Sequence, residues 1–183
     1  MILGLDVSTS NIGYAIIDLN GSLIDLGYIS LSKKKCFIEK NKEVHKVFNE
    51  IKSKFNIEYV FIEECLQRFS FGRSSASTIV TLALFNGSVQ YVSNLAFDKI
   101  PVVLNVNKAR KSLQIKTQTQ KKCGISIKEQ VFQWVSNNLA YKWPTKILKS
   151  GPRKGQIVLI DQVYDMADAW VIAKAGFIHL NIS

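Results

Sequence analysis

Cysteine, histidine and long apolar runs are all scarce in this chain, and each scarcity closes off a class of protein. The 183 residues include three cysteines, two histidines and three prolines. Cys36, Cys65 and Cys123 are odd in number and far apart, with no C-x-x-C pair, so neither a disulfide framework nor a zinc site is expected. His45 and His179 are expected on helix surfaces or near the tail. No nucleophile-elbow motif accompanies them, so a Ser/His/Asp triad has little support. No stretch approaches the roughly 20 apolar residues that span a bilayer. The opening MILGLDVSTS lacks a basic region, and Asp6 breaks its apolar run, so a signal peptide and a membrane partner are not expected and the cytoplasm is the default compartment.

Positive charge is also missing where it might be expected. Residues 1–32 contain no lysine or arginine, yet they hold Asp6, Asp18 and Asp25. Residues 107–155 are the reverse, with twelve cations and one acid, Glu129, in a chain whose overall net charge is +10. Such a concentration is the footprint of a phosphate-backbone binder, although basic patches also serve solubility alone. Hydrophobic residues at 47% and charged residues at 21% place the remainder in the globular range. A length of 183 residues suits a single domain with its own core, spanning 1–183.

The apolar segments 2–7, 13–19 and 23–31 are separated by a Ser/Thr/Asn cluster and by Asn20-Gly21, a two-residue hairpin signal, and read as an antiparallel three-strand meander. Apolar residues at 44, 47, 48 and 51 predict an amphipathic helix over 38–54. Strands are expected at 58–63 and 101–106. A long, mostly apolar helix is expected over 75–95, with the small residues Ala83 and Gly87 four apart. The segment 107–124 has little periodicity. A helix is expected over 126–139, a basic loop or short hairpin at about 140–160, and an apolar helix over 163–176. This order describes an α/β domain with a mixed five-stranded sheet, three strands antiparallel and two parallel, flanked by helices.

Four acids lie within these apolar elements: Asp6, Glu63 with Glu64 beside it, Asp165 and Asp168. A buried carboxylate is costly unless it is paired or holds a metal. Asp165 and Asp168 are three apart and share a helix face near its N-terminus, where the dipole tolerates negative charge. If the first and fourth strands are neighbours, the acids converge, and hard oxygens suit Mg²⁺ or Mn²⁺ better than zinc. Each acid also has an ordinary structural role open to it. Asp6 can cap the next turn, Asp165 can be an N-cap, and Glu63 or Glu64 can pair with Arg68.

The segments I-L-G-L-D-V-S-T-S-N-I-G-Y at 2–14, F-I-E-E at 61–64, K-E-Q-V at 128–131 and Y-D-M-A-D-A-W-V-I-A at 164–173 together resemble the RuvC-like Holliday junction resolvases, a branch of the RNase H-fold nucleases. Their order and spacing agree over most of the chain. The resemblance implies an RNase H-like domain and a metal-dependent endonuclease that nicks four-way DNA junctions in pairs, acting as a homodimer. It makes Asp6, Glu63, Asp165 and Asp168 the ligands of two Mg²⁺ ions (Mn²⁺ is also open), with strand parity leaving Glu64 as an alternative to Glu63. Lys128 matches a basic residue near the scissile region. Arg110 and Lys111 fall where the family has basic DNA contacts, and Lys108, Lys116, Lys121 and Lys122 join them as expected phosphate contacts of the basic segment. The family's aromatic wedge has no direct match: Leu66, Phe69 and Phe71 are the candidates, and Arg68, Phe69, Phe71 and Arg73 interleave charge and rings as a nucleic-acid-binding loop would. The basic 140–160 insertion looks more like phage or viral members, which would place the protein in a host cytoplasm.

Rival readings are an actin-like or sugar-kinase ATPase, for which the chain is short and lacks a glycine-rich adenosine motif, a non-catalytic junction-binding module, and a related nuclease acting on flaps or RNA–DNA hybrids.

Overall fold

A computed structural model describes residues 1–65 and 76–182. Leu66, Arg68, Phe69, Phe71 and Arg73 therefore lie outside the described residues.

The N-terminal third is the expected meander: β1 (Ile2–Val7), β2 (Asn11–Ile17) and β3 (Leu23–Ser30) pair antiparallel in succession. Ser8, not Asp6, closes the first turn, with its Oγ accepting from Asn11 N at 3.0 Å. The second turn is wider than the two-residue hairpin expected at Asn20-Gly21. Asp18 Oδ1 gathers the backbone N–H groups of Asn20 and Ser22 at 2.9 and 2.7 Å, and Gly21 supplies a positive φ of 81°.

After α1 (Phe37–Lys54), β4 (Tyr59–Glu63) joins β1 in parallel, and α2 (Ala76–Phe97) leads to β5 (Val102–Leu104), parallel to β4. The sheet order is β3-β2-β1-β4-β5, the mixed arrangement expected from the sequence. Alternation along the strands sorts their side chains. Leu3, Leu5, Ile12, Ile16, Val60 and Ile62 pack under α1 and α2, while Ile2, Ala15, Ile17 and Phe61 face the other layer.

That other layer differs from expectation in two places and settles an open alternative in a third. The segment 107–124 contains two short helices, α3 (Val106–Ser112) and α4 (Gln120–Cys123). Asn105 caps α3 by accepting from Asn107 N and Lys108 N, and Ala109 and Ile115 are buried beneath the basic surface. The insertion after α5 (Ile127–Asn138) forms a ribbon, β6 (Thr145–Ile147) with β7 (Ile157–Leu159), the hairpin alternative of the two the sequence left open. The last helix, α6 (Val163–Ile182), outruns its expected end at 176. No helix among the described residues is long and apolar enough to cross a membrane.

Candidate active site

Two side chains sit at the ends of neighbouring parallel strands. Leu5 of β1 is level with Ile62 of β4, so Asp6 and Glu63 emerge side by side. Period-two alternation places both on the face that carries Ile2 and Phe61, toward α6. Their carboxyls share a hydrogen bond. Glu64, one step on, accepts instead from Asn105 Nδ2 at 2.7 Å.

The remaining two acids arrive on α6 because that helix lies unusually close to the sheet. A Cβ on Gly4 would stand 2.5 Å from the Ala169 carbonyl oxygen, and one on Gly13 would overlap the Asp165 carbonyl. Glycine at these two positions lets helix and strand backbones touch, which brings Asp165 and Asp168 over the end of β1. Asp165 lies inside the first turn, where the helix dipole favours negative charge, rather than at the N-cap.

Two cations face this cluster. Arg110 of α3 donates from Nη2 to Asp168 Oδ1 at 3.1 Å, and Asp168 is only 5% exposed. Lys128, in the first turn of α5, donates to Asp165 Oδ1 at 3.2 Å, and Ser126 fixes that turn by accepting from Glu129 N. Arg110, expected as a DNA contact, is thus drawn inward, and its Nε is buried without a hydrogen bond.

The electrostatics follow from crowding. Burial, then the charges of Glu63, Asp168 and Asp165, push the Asp6 carboxyl well above its ordinary range. Burial and Asp168 push Glu63 up to about 7, against the opposing effect of its bond to Asp6 and of Arg110 and Lys128. Asp168 is raised by burial, with Arg110 and Lys128 countering. Burial alone would lower Lys128, but Asp165 and Asp6 outweigh it and hold the ammonium above its usual value. The cluster therefore carries more carboxylate than its two cations neutralise, and the crowding favours the protonated forms of Asp6 and Glu63.

Among the described residues no three acidic, histidine or cysteine side chains stand grouped to hold a metal ion, with Asp165 and Asp168 turned to Lys128 and Arg110. The donor set nevertheless fits a hard divalent cation. It offers carboxylate oxygens from three elements at one rim, with excess negative charge that a cation would relieve.

The expected basic residues fall into three groups. Arg110, Lys111 and Lys116 line one groove. Lys108 lines another cavity, of about 550 Å³, with Glu64, Leu104 and His179. Lys121 and Lys122 are exposed on α4. Two supporting residues had no sequence signal. Asn86, buried in α2, donates to the Glu63 carbonyl at 3.0 Å and accepts from Gln90 Nε2 at 2.7 Å, tying α2 to the end of β4. Gln130 of α5 bonds Gln118 N at 2.7 Å, Gln118 O at 2.8 Å and Ile125 O at 3.1 Å, pinning the loop that carries Lys121 and Lys122. Each is a long-range amide contact, invisible to periodicity.

A meander continued by two parallel strands, with acids at the ends of the first and fourth strands and on the final helix, defines an RNase H-like fold. The comparisons sharpen this. No family model matches the chain. The crossover junction endodeoxyribonuclease RuvC of Aliarcobacter butzleri (strain RM4018) is 33% identical over 91 residues, which is 48% of this chain and 55% of that protein, so the match spans about half the relative's length. The structure of T. thermophilus RuvC in complex with Holliday junction substrate superposes with a TM-score of 0.62 and 18% identity, covering 100% of this chain and 95% of that one. A second Thermus thermophilus RuvC structure gives 0.60 and 20%, covering 98% and 95%. About half of the sequence and the whole fold are thus similar to RuvC proteins.

Proposed function

We propose that this protein is a metal-dependent, structure-selective DNA endonuclease that resolves four-way junctions by paired symmetric nicks, its 183 residues forming one RNase H-like domain. The observation that carries the reading is the gathering of Asp6, Glu63, Asp165 and Asp168 at one sheet rim, under a cation-rich border. Two Mg²⁺ or Mn²⁺ ions held by these carboxylates would supply Lewis acidity and an activated water for phosphodiester hydrolysis. The chain's own residues do the rest. Lys128 keeps a full positive charge at the rim, where it counters charge building on the phosphate. Asn86 fixes the strand end that carries Glu63. Lys108, Lys111, Lys116, Lys121 and Lys122 attract and hold the backbone. Such an enzyme works where branched DNA is found, in the cytoplasm or, for a phage-encoded chain, that of its host.

The chain also carries a surface suited to a second copy. Along α2, Val80, Leu84, Tyr91 and Leu95 are exposed, with Ala83 and Gly87 between them. Leu84 is 63% and Tyr91 65% accessible. An apolar stripe with a small-residue floor fits an isologous helix pair, and a two-fold dimer matches the approximate symmetry of a four-way junction.

The test is an Mg²⁺-dependent cleavage assay on a four-way junction, a plain duplex, a flap and an RNA–DNA hybrid, with Asp6→Asn and Asp168→Asn as controls. Paired nicks in the junction, lost in both variants, are expected. Junction binding without cutting would point to an architectural module, and cutting of the flap or hybrid alone would replace the substrate.

A further inference from the structure

The β6–β7 ribbon is not needed to build the acidic rim, yet it is fastened to it. Trp143, at the foot of β6, packs edge-on to Phe132 of α5 with ring centroids 4.9 Å apart, and Tyr141 packs edge-on to Trp143 at 5.1 Å. Tyr141 also donates its hydroxyl to the Leu26 carbonyl in β3 at 3.1 Å. Ile160 N bonds Pro144 O at 3.2 Å, closing the base, and α6 begins at Val163, two residues before Asp165. The foot of the ribbon is therefore set in the same packing that orients the acids.

The far end is ordered as well. Leu148 and Gln156 continue the ladder, Gly155 N bonds Leu148 O at 2.8 Å, and Gly151 and Gly155 adopt positive φ to turn the tip. The ladder runs from the Thr145 and Leu159 pair to Leu148 and Gln156, roughly 10 Å of extended strand, before the chain turns.

What the ribbon displays is one-sided in charge. Between Gln130 and Ile160 there is no acid. Lys146 is paired with Asp161 at 2.9 Å, but Lys142, Lys149, Arg153 and Lys154 have no ion pair among the described residues. Between foot and tip, Ile147 and Ile157 sit directly across from each other, 63% and 69% exposed. An isolated three-rung ribbon gains little from such a rung in water. Unpaired cations around an uncovered aliphatic rung suit a polyanion that also offers apolar edges.

We propose that the β6–β7 ribbon is a second DNA-binding arm, laid along the duplex arm next to the cleavage rim, with Lys149, Arg153 and Lys154 on its phosphates and Ile147 and Ile157 against its sugar and base edges. A two-stranded ribbon is of a size that a duplex groove admits. The inference rests on the endonuclease reading, and it names which part of the chain extends the grip beyond the scissile phosphate.

The experiment is equilibrium binding of the full chain to a four-way junction without divalent metal, over a series of salt concentrations. It compares the wild type, K149Q/R153Q/K154Q and I147N/I157N, with K42Q/K52Q/K54Q on the exposed surface of α1 as a control of equal charge loss. Each phosphate contact contributes about 0.9 to the slope of log affinity against log salt, so the ribbon triple variant is expected to lower the slope by about 2–3. I147N/I157N is expected to weaken binding without changing the slope, and the α1 control to keep the wild-type slope. Thermal unfolding of each variant verifies that it is folded. Wild-type binding with an unchanged slope in K149Q/R153Q/K154Q, or an equal drop in the α1 control, overturns the inference and leaves the endonuclease reading standing. A wild type that binds no DNA overturns both.

Discussion

Replacing Glu63 by glutamine removes a charge from the crowded rim while keeping the shape of the side chain, and its effect on stability has a definite sign. Glu63 titrates near 7 in the folded protein, against an ordinary value of 4.5, because burial and the neighbouring Asp168 disfavour its ionised form. Between those two values the folded chain keeps a proton that the unfolded chain releases. Stability is therefore greatest below about pH 4.5 as far as this group is concerned, and is lost as pH rises through 7. A shift of this size corresponds to the order of 3 kcal/mol. Asp6 and Asp168, both raised, act in the same direction. Glu43, held low by its bond to Lys34, acts oppositely but only at more acid pH. Urea unfolding of the metal-free chain is expected to show stability falling from pH 5 to 8. At pH 8 the Glu63→Gln variant should be more stable than the wild type by about 1–3 kcal/mol, with a flatter pH dependence. Added Mg²⁺ should stabilise the wild type at pH 8 far more than the variant, because an ion that binds only the folded state shifts the equilibrium by mass action. Wild-type stability that is level or rising from pH 5 to 8 would refute the crowding argument.

Three further outcomes are expected. Gly13→Ala must push α6 off β2; it should cost about 1–3 kcal/mol by overpacking, measured by thermal or urea unfolding, and lower junction cleavage by about 100-fold or more as Asp165 and Asp168 move. Gln130→Ala should leave the core intact but release residues 118–125, seen as faster amide exchange at Gln118 and weaker junction binding. Leu84→Asp on α2 should convert a dimer to a monomer in sedimentation experiments; a wild type that sediments as a monomer at micromolar concentration would remove α2 as an interface.

Local pattern already carried much of this molecule. The apolar segments 2–7, 13–19 and 23–31 with turn signals between them are enough for the meander, and the 44/47/48/51 spacing is enough for α1, because burial of a strand or helix face depends on residues close in sequence. The acids stood out because Asp6, Glu63, Asp165 and Asp168 interrupt apolar segments. The choice between Glu63 and Glu64 was not available in that way. It turns on the register of β4 against β1 and on Asn105 claiming Glu64.

The helices α3 and α4 escaped notice because their stability comes from a cap at Asn105, from burial of Ala109 and Ile115, and from Gln130 reaching across from α5, none of which leaves a repeat in the chain. Arg110 looked like any other cation of the basic segment until α3 was set against α6. The meeting of the acids depends on two glycines, Gly4 and Gly13, whose importance lies in what they allow α6 to approach. Composition, periodicity and charge are properties of neighbours along the chain, and the sequence by itself determined the main strands and long helices and the candidate chemistry. Only the tertiary structure decided which carboxylates crowd together, which cations answer them and how near the helix lies, because those are distances between segments that the chain brings together only when the sheet and its covering helix pack.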